Sequence, residues 1–199
     1  METLKRFFIS LMILIPNIMF AQSQGSSNGH DWVDLGLSVK WATSNIGASS
    51  PSDYGYYIAW GEIAPKSTYN YRNSTTFNKH QSDIAKTDKD VAHIKWGGNW
   101  RMPTLTEIKE LMEACTWDWV TVGGHSGYKV TGLNGNSIFL PASGAKSDDK
   151  LFDQGSFGCY WSSTPKDSEE SYSINFDPND YGWSSDAKFG GVTIRPVLQ

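Results

Sequence analysis

The sequence predicts an α+β fold in which two helices pack on antiparallel strands, and three features support this prediction. Thr104 and Glu107 form the T-x-x-E pattern of a helix capping box. Asn134-Gly135 lies between two alternating apolar runs, which is the strongest short-range signal for a β-hairpin. The chain contains 9 Trp, 9 Tyr, 9 Phe and 19 Gly, a composition typical of short strands, many turns and an aromatic core.

The first 21 residues have the features of a secretory signal peptide. Basic residues precede an apolar run over residues 7–20, and Ala21 ends the segment. This run is too short to span a membrane, and Pro16 interrupts it. We therefore expect cleavage near Ala21 and no membrane span in the exported protein. An N-terminal anchor that is left uncleaved is the alternative that stays open.

Residues 22–30 are rich in Ser, Gly and Asn and are predicted to form a disordered polar tail. Residues 31–199 are predicted to form a single domain, because no repeat or linker interrupts them and their length is sufficient to bury a large core. The formal net charge is −4, and no basic run occurs. Nucleic acid and anionic lipid surfaces are therefore not expected as partners.

The N-terminal half of the domain is predicted to contain two short extended segments and one irregular segment. Residues 33–42 alternate loosely and indicate a strand or hairpin with Gly36 at a turn. Residues 56–62 are predicted to form a short aromatic strand, in which Glu62 is a structural hydrogen-bond acceptor rather than a catalytic group. Residues 64–87 are polar and are expected to form an irregular surface excursion.

Two helices are predicted in the middle of the chain. The first opens at a weaker capping pair, Thr87 and Asp90, and ends at Gly97, where glycine can take the left-handed cap. The second begins after Thr104, and its apolar face consists of Ile108, Leu111, Met112 and Cys115. Arg101, in the corner between the helices, suits either a bound anion or a neighbouring carboxylate, and we favour the carboxylate.

The C-terminal half is predicted to be mostly strands. These lie at residues 128–131, 137–141, 158–164, 171–176 and 192–197. Residues 145–155 are predicted to form a polar loop. Residues 181–188 are too polar and alternate too little for a buried strand, so we expect a loop on the exposed end of the domain, where binding residues concentrate.

Several segments resemble the Fibrobacter-type major paralogous domain family. They are V-D-L-G-L-S-V-K-W-A-T-S-N-I-G-A (33–48), Y-Y-I-A-W-G-E (56–62), W-G-G-N-W-R-M-P-T (96–104), Y-W-S-S-T (160–164) and I-R-P-V (194–197). This family is similar to C-type-lectin-like folds, a superfamily that also includes formylglycine-generating enzymes and the variable proteins of diversity-generating retroelements. The resemblance implies a C-type-lectin-like fold: two helices packed on short, twisted antiparallel sheets, with the N- and C-terminal strands adjacent.

The resemblance to formylglycine-generating enzymes suggests an enzyme hypothesis that the residues do not support. Those relatives bind copper through a pair of cysteines. Here Cys159 is the one cysteine of the C-terminal third, and Cys115 lies on a predicted helix face. We therefore expect no catalytic residue and no enzymatic activity. The two cysteines are each predicted to point inward, and both a disulfide between them and two buried free thiols remain open.

No metal site or cofactor is expected from the sequence. The histidines lack the spacing of zinc ligands to one another or to a cysteine. Asp177, Asp180 and Asp186 are possible calcium ligands, but a solvated turn is the better interpretation of this weak pattern.

A binding surface is predicted near the C-terminus. In the retroelement-variable relatives, the segment between Y-W-S-S and R-P-V displays the ligand face. The matching residues here, 165–191, are dense in Tyr, Trp, Ser, Asn and Asp, a composition that suits adaptable recognition. The predicted ligand-contacting patch is Asn175, Tyr181, Trp183, Ser185, Asp186 and Lys188.

The function expected from these features is that of an exported, non-catalytic binding or adhesion-type module, secreted or held at the cell envelope. Its ligand is expected to be a glycan or a protein. Two alternatives remain: a structural cell-surface component without a specific ligand, and an enzyme similar to the formylglycine-generating enzymes.

Overall fold

A computed structural model describes residues 23–199, and the predicted signal peptide, residues 1–21, lies outside the described residues. The helices are α1 (Val91–Trp96) and α2 (Leu105–Ala114). The strands are β1 (Gln24–Ser27), β2 (His30–Val33), β3 (Lys40–Ala42), β4 (Trp100–Arg101), β5 (Thr116–Val122), β6 (His125–Thr131), β7 (Ser137–Pro141), β8 (Ala145–Ser147), β9 (Lys150–Phe152), β10 (Gly158–Pro165), β11 (Glu170–Phe176), β12 (Tyr181–Ala187) and β13 (Val197–Leu198). Antiparallel sheets accompanied by two short helices in this part of the chain agree with the predicted α+β class.

The largest sheet joins the two ends of the described chain. Its strand order is β1-β2-β3-β13-β4, and β13 is antiparallel to both β3 and β4. The last strand therefore lies beside the N-terminal strands, as the family resemblance implied.

The disordered tail predicted for residues 22–30 is not observed in its described part, residues 23–30, because residues 24–27 form β1 and pair with β2. Asn28 and Gly29 make the turn with φ of 49° and 77°, the left-handed conformations that an Asn-Gly turn supplies readily. Asn28 also donates a side-chain N–H to the carbonyl of Trp96 at 3.1 Å. This turn and this contact outweigh the polar composition on which the prediction relied.

The predicted Asn-Gly hairpin is confirmed: β6 and β7 pair antiparallel, and Gly135 in the turn has a φ of 83°. The sequence did not indicate β5, which pairs with the other side of β6. Trp117 and Tyr128 of this sheet face Phe176 of β11, with ring centroids 6.3 Å and 5.4 Å from that ring. The sheets β5-β6-β7 and β10-β11-β12 thus share the main hydrophobic core with α2.

Both helices begin close to their predicted starts. Thr104 is the N-cap of α2, and the reciprocal hydrogen bonds between Thr104 and Glu107 complete the capping box. Arg101 donates to both carboxylate oxygens of Glu107, which confirms the predicted pairing with a carboxylate. The N-cap of α1 is Asp90, and the helix ends at Gly97 with a φ of 67°.

Three further segments differ from their predictions. Of the strand predicted at residues 192–197, only Val197 belongs to a strand, β13, and Val192 and Thr193 make isolated bridges. Residues 56–62 do not form a strand: Ile58 makes an isolated bridge to Val192, because the segment passes through the interior instead of along a sheet. The polar loop predicted at residues 145–155 contains the small hairpin of β8 and β9.

A second core lies beneath the polar excursion of residues 64–87. Its buried side chains include Trp60 and Trp161, and Ile84 of the excursion belongs to it. At its margin, Glu62 accepts hydrogen bonds from the backbone N–H of Thr75 and from Lys66. Glu62 therefore has the structural role that the sequence predicts for it.

Candidate ligand-binding surface

The segment predicted as an exposed loop at residues 181–188 is mostly the strand β12, the outer strand of the sheet β10-β11-β12. A strand at a sheet edge is partly exposed on both faces, so it does not need the apolar alternation of a buried strand. Its formation decides which residues of the predicted patch share a face, because neighbouring side chains in a strand point in opposite directions.

The predicted patch is divided between the two faces of the sheet. Tyr181 is paired with Phe176, and Trp183 with Ile174, so these side chains lie on the face that covers the main core, together with Ser185. Asp186 is paired with Ser171, and it lies with Asn175 on the opposite face.

Lys188 is not part of any surface, which corrects its assignment to the patch. Its side chain is fully buried, and its Nζ donates to the carbonyls of Asp167, Lys79 and Ser168 at 2.7, 3.1 and 3.3 Å. The ammonium also lies 4.7 Å from the ring centroid of Trp60. Burial lowers the pKa of Lys188 from its ordinary value. This lysine ties two loop segments, at Lys79 and at residues 167–168, to the end of β12 and is not available to a ligand.

The carboxylate of Asp186 is occupied by neighbours within the protein. It accepts hydrogen bonds from Ser173 Oγ, from Asn175 Nδ2 at 3.3 Å and from Cys159 Sγ at 3.5 Å. Asp186 and Asn175 are both half-buried. The main role of Asp186 is therefore to satisfy polar groups that the sheet brings together.

Ser185 is held in a similar way at the far end of β12. It accepts a hydrogen bond from Lys166 Nζ at 3.1 Å and donates one to Glu170 at 2.7 Å. Its hydroxyl is thus engaged by the chain itself.

Tyr181 and Trp183 are the large exposed side chains of β12, with 37% and 46% of their surfaces accessible. The ring of Tyr181 stacks on Trp117, with centroids 4.6 Å apart and planes 9° apart. Trp183 is contacted by Lys109 of α2, whose Nζ lies 4.2 Å from the ring centroid, and by the edge of Tyr172. Both rings are therefore held in fixed positions while part of each stays exposed.

A cavity of about 250 Å³ lies at the β11–β12 turn, and residues Tyr181 and Trp183 are part of its lining. Its lining also includes Phe157, Asn175, Asp177, Asp180, Gly182 and Ser184. A Cβ added at Gly182 would meet no atom within 4 Å, so the glycine leaves this wall open. We call Asp177, Asp180, Tyr181, Gly182 and Trp183 the hairpin surface.

The two aspartates of the hairpin surface also shape the turn. Asp177 accepts hydrogen bonds through Oδ1 from the backbone N–H groups of Asn179 and Asp180, and Asp180 Oδ1 accepts from the N–H of Tyr181. Both side chains are exposed. Sequence reasoning assigned them to a turn, and the Asp-Pro-Asn-Asp pattern contained no further signal of their place beside Tyr181.

Lys109 is a second residue that sequence reasoning missed. It lies on the polar side of α2, and no local pattern shows that this part of the helix faces Trp183.

The two cysteines are free thiols: Cys159 is buried, and Cys115 is half-buried. Cys159 belongs to the second core, whereas Cys115 packs against the main core. Burial raises the pKa of Cys115 to about 11 and the pKa of Cys159 well above its ordinary value, and nearby carboxylates add to both effects. Both groups are therefore protonated at neutral pH and weakly nucleophilic.

Asp186 lies at the other end of β12 from the Asp177–Asp180 turn, so the three possible calcium ligands do not converge. Between residues 23 and 199, no cluster of three or more His, Cys, Asp or Glu side chains has an arrangement that could hold a metal ion. No helix in this part of the chain is long and apolar enough to cross a membrane.

Comparisons with known proteins leave the site to be interpreted from its own geometry. No protein-family model matches the chain, and neither a curated protein nor a solved structure matches it.

Proposed function

We propose that the protein is an exported, non-catalytic binding module with a C-type-lectin-like fold, and that the hairpin surface contacts its ligand. The observation that carries this proposal is the pair of exposed rings, Tyr181 and Trp183, each fixed by a neighbour and carried by an edge strand that also lines an open cavity.

Rigid aromatic side chains favour binding because little conformational entropy is lost when a ligand covers them. The stack of Tyr181 on Trp117 and the contact of Lys109 with Trp183 provide this rigidity. The carboxylates of Asp177 and Asp180 supply polar groups that orient a ligand at the turn end of the strand. This combination suits a glycan or a protein.

Two observations support the fold and the location that we propose. The last strand, β13, lies between β3 and β4 and so closes the chain on its N-terminal strands, as expected for a C-type-lectin-like domain. Residues 1–21 have the composition of a secretory signal peptide, which supports secretion or attachment to the cell envelope. N-terminal sequencing of protein from the native host should begin near Gln22, and an intact Met1 would contradict export by cleavage.

The raised pKa values of both thiols support a non-catalytic role, because the thiolate is the reactive form of cysteine. The neighbouring carboxylate of Asp186 raises the pKa of Cys159 further, so it does not activate the sulfur as a nucleophile.

Glycan and protein arrays probed with the exported protein test the proposed function. Trp183→Ala should remove binding of any ligand found, and Gly182→Leu should do the same by filling the cavity. Neither variant should unfold the domain, since Trp183 is exposed and a Cβ at position 182 meets open space.

Tyr71→Ala is the matched control, because Tyr71 is an aromatic side chain with 56% exposure outside the hairpin surface. This variant should bind as the unaltered protein does. Binding that survives both Trp183→Ala and Gly182→Leu would place the ligand elsewhere and refute the proposal.

A further inference from the structure

The outer edge of β12 carries free backbone hydrogen-bonding groups. The pairing with β11 is closed at one end by Asp177 N–H donating to Asp180 O at 2.9 Å, and at the other by Lys188 N–H donating to Glu169 O at 2.8 Å. Bonded and non-bonded pairs alternate in an antiparallel ladder. The even-numbered residues of β12 therefore bond to β11, whereas Trp183 and Ser185 direct their N–H and C=O groups outward.

No strand pairs with this outer edge in the part of the chain that the structure describes. The opposite edge of the same sheet is covered: Trp161 N–H donates to Thr193 O at 3.0 Å, and Ser163 N–H donates to Pro103 O at 2.7 Å. β12 has no proline and keeps a continuous register with β11. It lacks the prolines and bulges that commonly block an edge strand.

Charges along the edge limit what can occupy it. Asp177 and Asp180 lie at the turn end, and Lys109 lies above Trp183 near the middle of the strand. None of these three residues has an ion-pair partner among residues 23–199. An occupant that offers a basic group at the turn and an acidic group near Lys109 would complement this distribution.

A second copy of the chain does not fit these charges. Two-fold antiparallel pairing of β12 with itself, centred on Trp183, would place Asp180 of one copy opposite Asp186 of the other. Like charges directly opposite one another destabilise a strand pair. In the register centred on Trp183, the edge therefore favours a different polypeptide over self-association.

Resting on the proposed binding function, we infer that the edge of β12 accepts an extended segment of another protein as an added antiparallel strand. The segment has an acidic residue opposite Trp183 and, three positions later, a basic residue opposite Asp180. Residues three positions apart in a strand lie on opposite faces. This matches the edge, since Lys109 lies on the face of Trp183 and Asp180 belongs to the even-numbered, opposite face.

A synthetic peptide tests this inference directly. The probe is the heptapeptide Thr-Glu-Val-Thr-Lys-Val-Thr, amidated at its C-terminus and with a fluorescent dye at its N-terminus, and binding is followed by fluorescence polarisation. N-methylation of the amides that would face β12 should weaken binding about tenfold, because it removes backbone donors and keeps the side chains. Exchanging Glu and Lys in the probe should weaken binding about fivefold.

A pair of variants tests the protein side. Ser185→Pro removes an N–H that points outward and fills the edge, and proline is tolerated where a strand's N–H faces solvent. Ser185→Ala removes the hydroxyl but keeps the N–H. Both should melt like the unaltered protein, while Ser185→Pro alone should abolish peptide binding.

The inference is overturned if the N-methylated and unmethylated probes bind equally, or if the probe does not bind at about 1 mM. It is also overturned if sedimentation shows a dimer that Ser185→Pro dissociates, because a second copy then occupies the edge. If an array ligand no longer binds Trp183→Ala but still binds Ser185→Pro, the proposed binding function stands and strand addition is rejected. If binding is lost in neither variant, both proposals are rejected.

Discussion

Arg195 donates its Nε–H to Oδ1 of Asn45 at 2.8 Å, with both side chains fully buried. Its two Nη atoms donate to the carbonyls of Phe139, Ala42 and Thr43 at 2.9, 3.1 and 3.1 Å. No carboxylate forms an ion pair with this guanidinium among the described residues. Burial lowers the pKa of Arg195 to about 10, so the group stays protonated at neutral pH. Its charge is stabilised by amide and carbonyl dipoles from separate segments of the chain.

Arg195→Lys should lower the free energy of unfolding by about 3 kcal/mol. A lysine ammonium cannot reproduce the planar fork of the guanidinium, so buried carbonyls lose their donors. Urea denaturation measures the effect. Arg72→Lys, at an exposed position, is the control and should change stability by less than about 0.5 kcal/mol. Equal losses in the two variants would show that the Arg195 cluster does not stabilise the fold.

The parts of the fold that the sequence predicted are those whose signals act locally. Thr104 and Glu107 are three positions apart, and Asn134-Gly135 is a single dipeptide, so each pattern determines its own backbone. Arg195 and Asn45, by contrast, are 150 positions apart. No local pattern can show that these two residues meet.

Only part of the candidate site could be predicted from the sequence, because only part of it depends on local signals. Tyr181 and Trp183 stand out by residue type in a polar segment, and the structure leaves both exposed on one face. Lys188 is also a polar residue of this segment, but three carbonyls from two loop segments converge on its side chain and bury it. That convergence depends on long-range packing. The same holds for the approach of Lys109 to Trp183.

Thr104→Ala should lower the free energy of unfolding by about 1 kcal/mol, because the N–H of Glu107 loses its acceptor at the start of α2. Thr106→Ala makes the same chemical change at an exposed position two residues later. It should instead raise stability by about 0.5 kcal/mol, since alanine has the higher helix propensity. Denaturant midpoints that move in the same direction for both variants would contradict the capping role of Thr104.

Glu107 should make the stability depend on pH. Burial by itself raises the pKa of this carboxyl, but the hydrogen bonds from Arg101 and Thr104 outweigh burial and hold the pKa below its ordinary value of 4.5. A lowered pKa in the folded state contributes stability above pH 4.5 that is lost as the pH falls through the folded-state value. The stability difference between the unaltered protein and Glu107→Gln should therefore shrink from pH 7 to pH 3. A difference that is constant over this range would exclude the linkage.

Both thiols should be unreactive in the folded protein. With the pKa of Cys115 raised to about 11 and that of Cys159 well above its ordinary value, little thiolate is present at pH 8. Ellman's reagent should label neither residue quickly in native protein and both in guanidinium, and a reductant should not change the intact mass. Labelling of neither residue in guanidinium without reductant would instead reveal a disulfide.

Lys188 and Lys109 provide a final test. The position of each lysine in the chain suggests one role, and the structure assigns it the other. Lys188 lies next to the end of β12 but is buried against three carbonyls, whereas Lys109 belongs to α2 but contacts the exposed ring of Trp183. Lys188→Met should lower the free energy of unfolding by about 2 kcal/mol, since it leaves those carbonyls without their donor. Ligand binding by the folded fraction should be unchanged.

Lys109→Met should instead weaken ligand binding and change stability only slightly. A partly exposed cation over an aromatic ring contributes about 0.5–1 kcal/mol, so the loss of stability should stay within that range. Binding of the heptapeptide probe should weaken, because the positive charge that would face its Glu is gone while the ring of Trp183 keeps an apolar neighbour. Thermal melts and fluorescence polarisation on the two variants separate the effects. Weaker binding by Lys188→Met at unchanged stability would mean that Lys188 reaches the ligand, and the division between a buried tether and a surface contact would then be wrong.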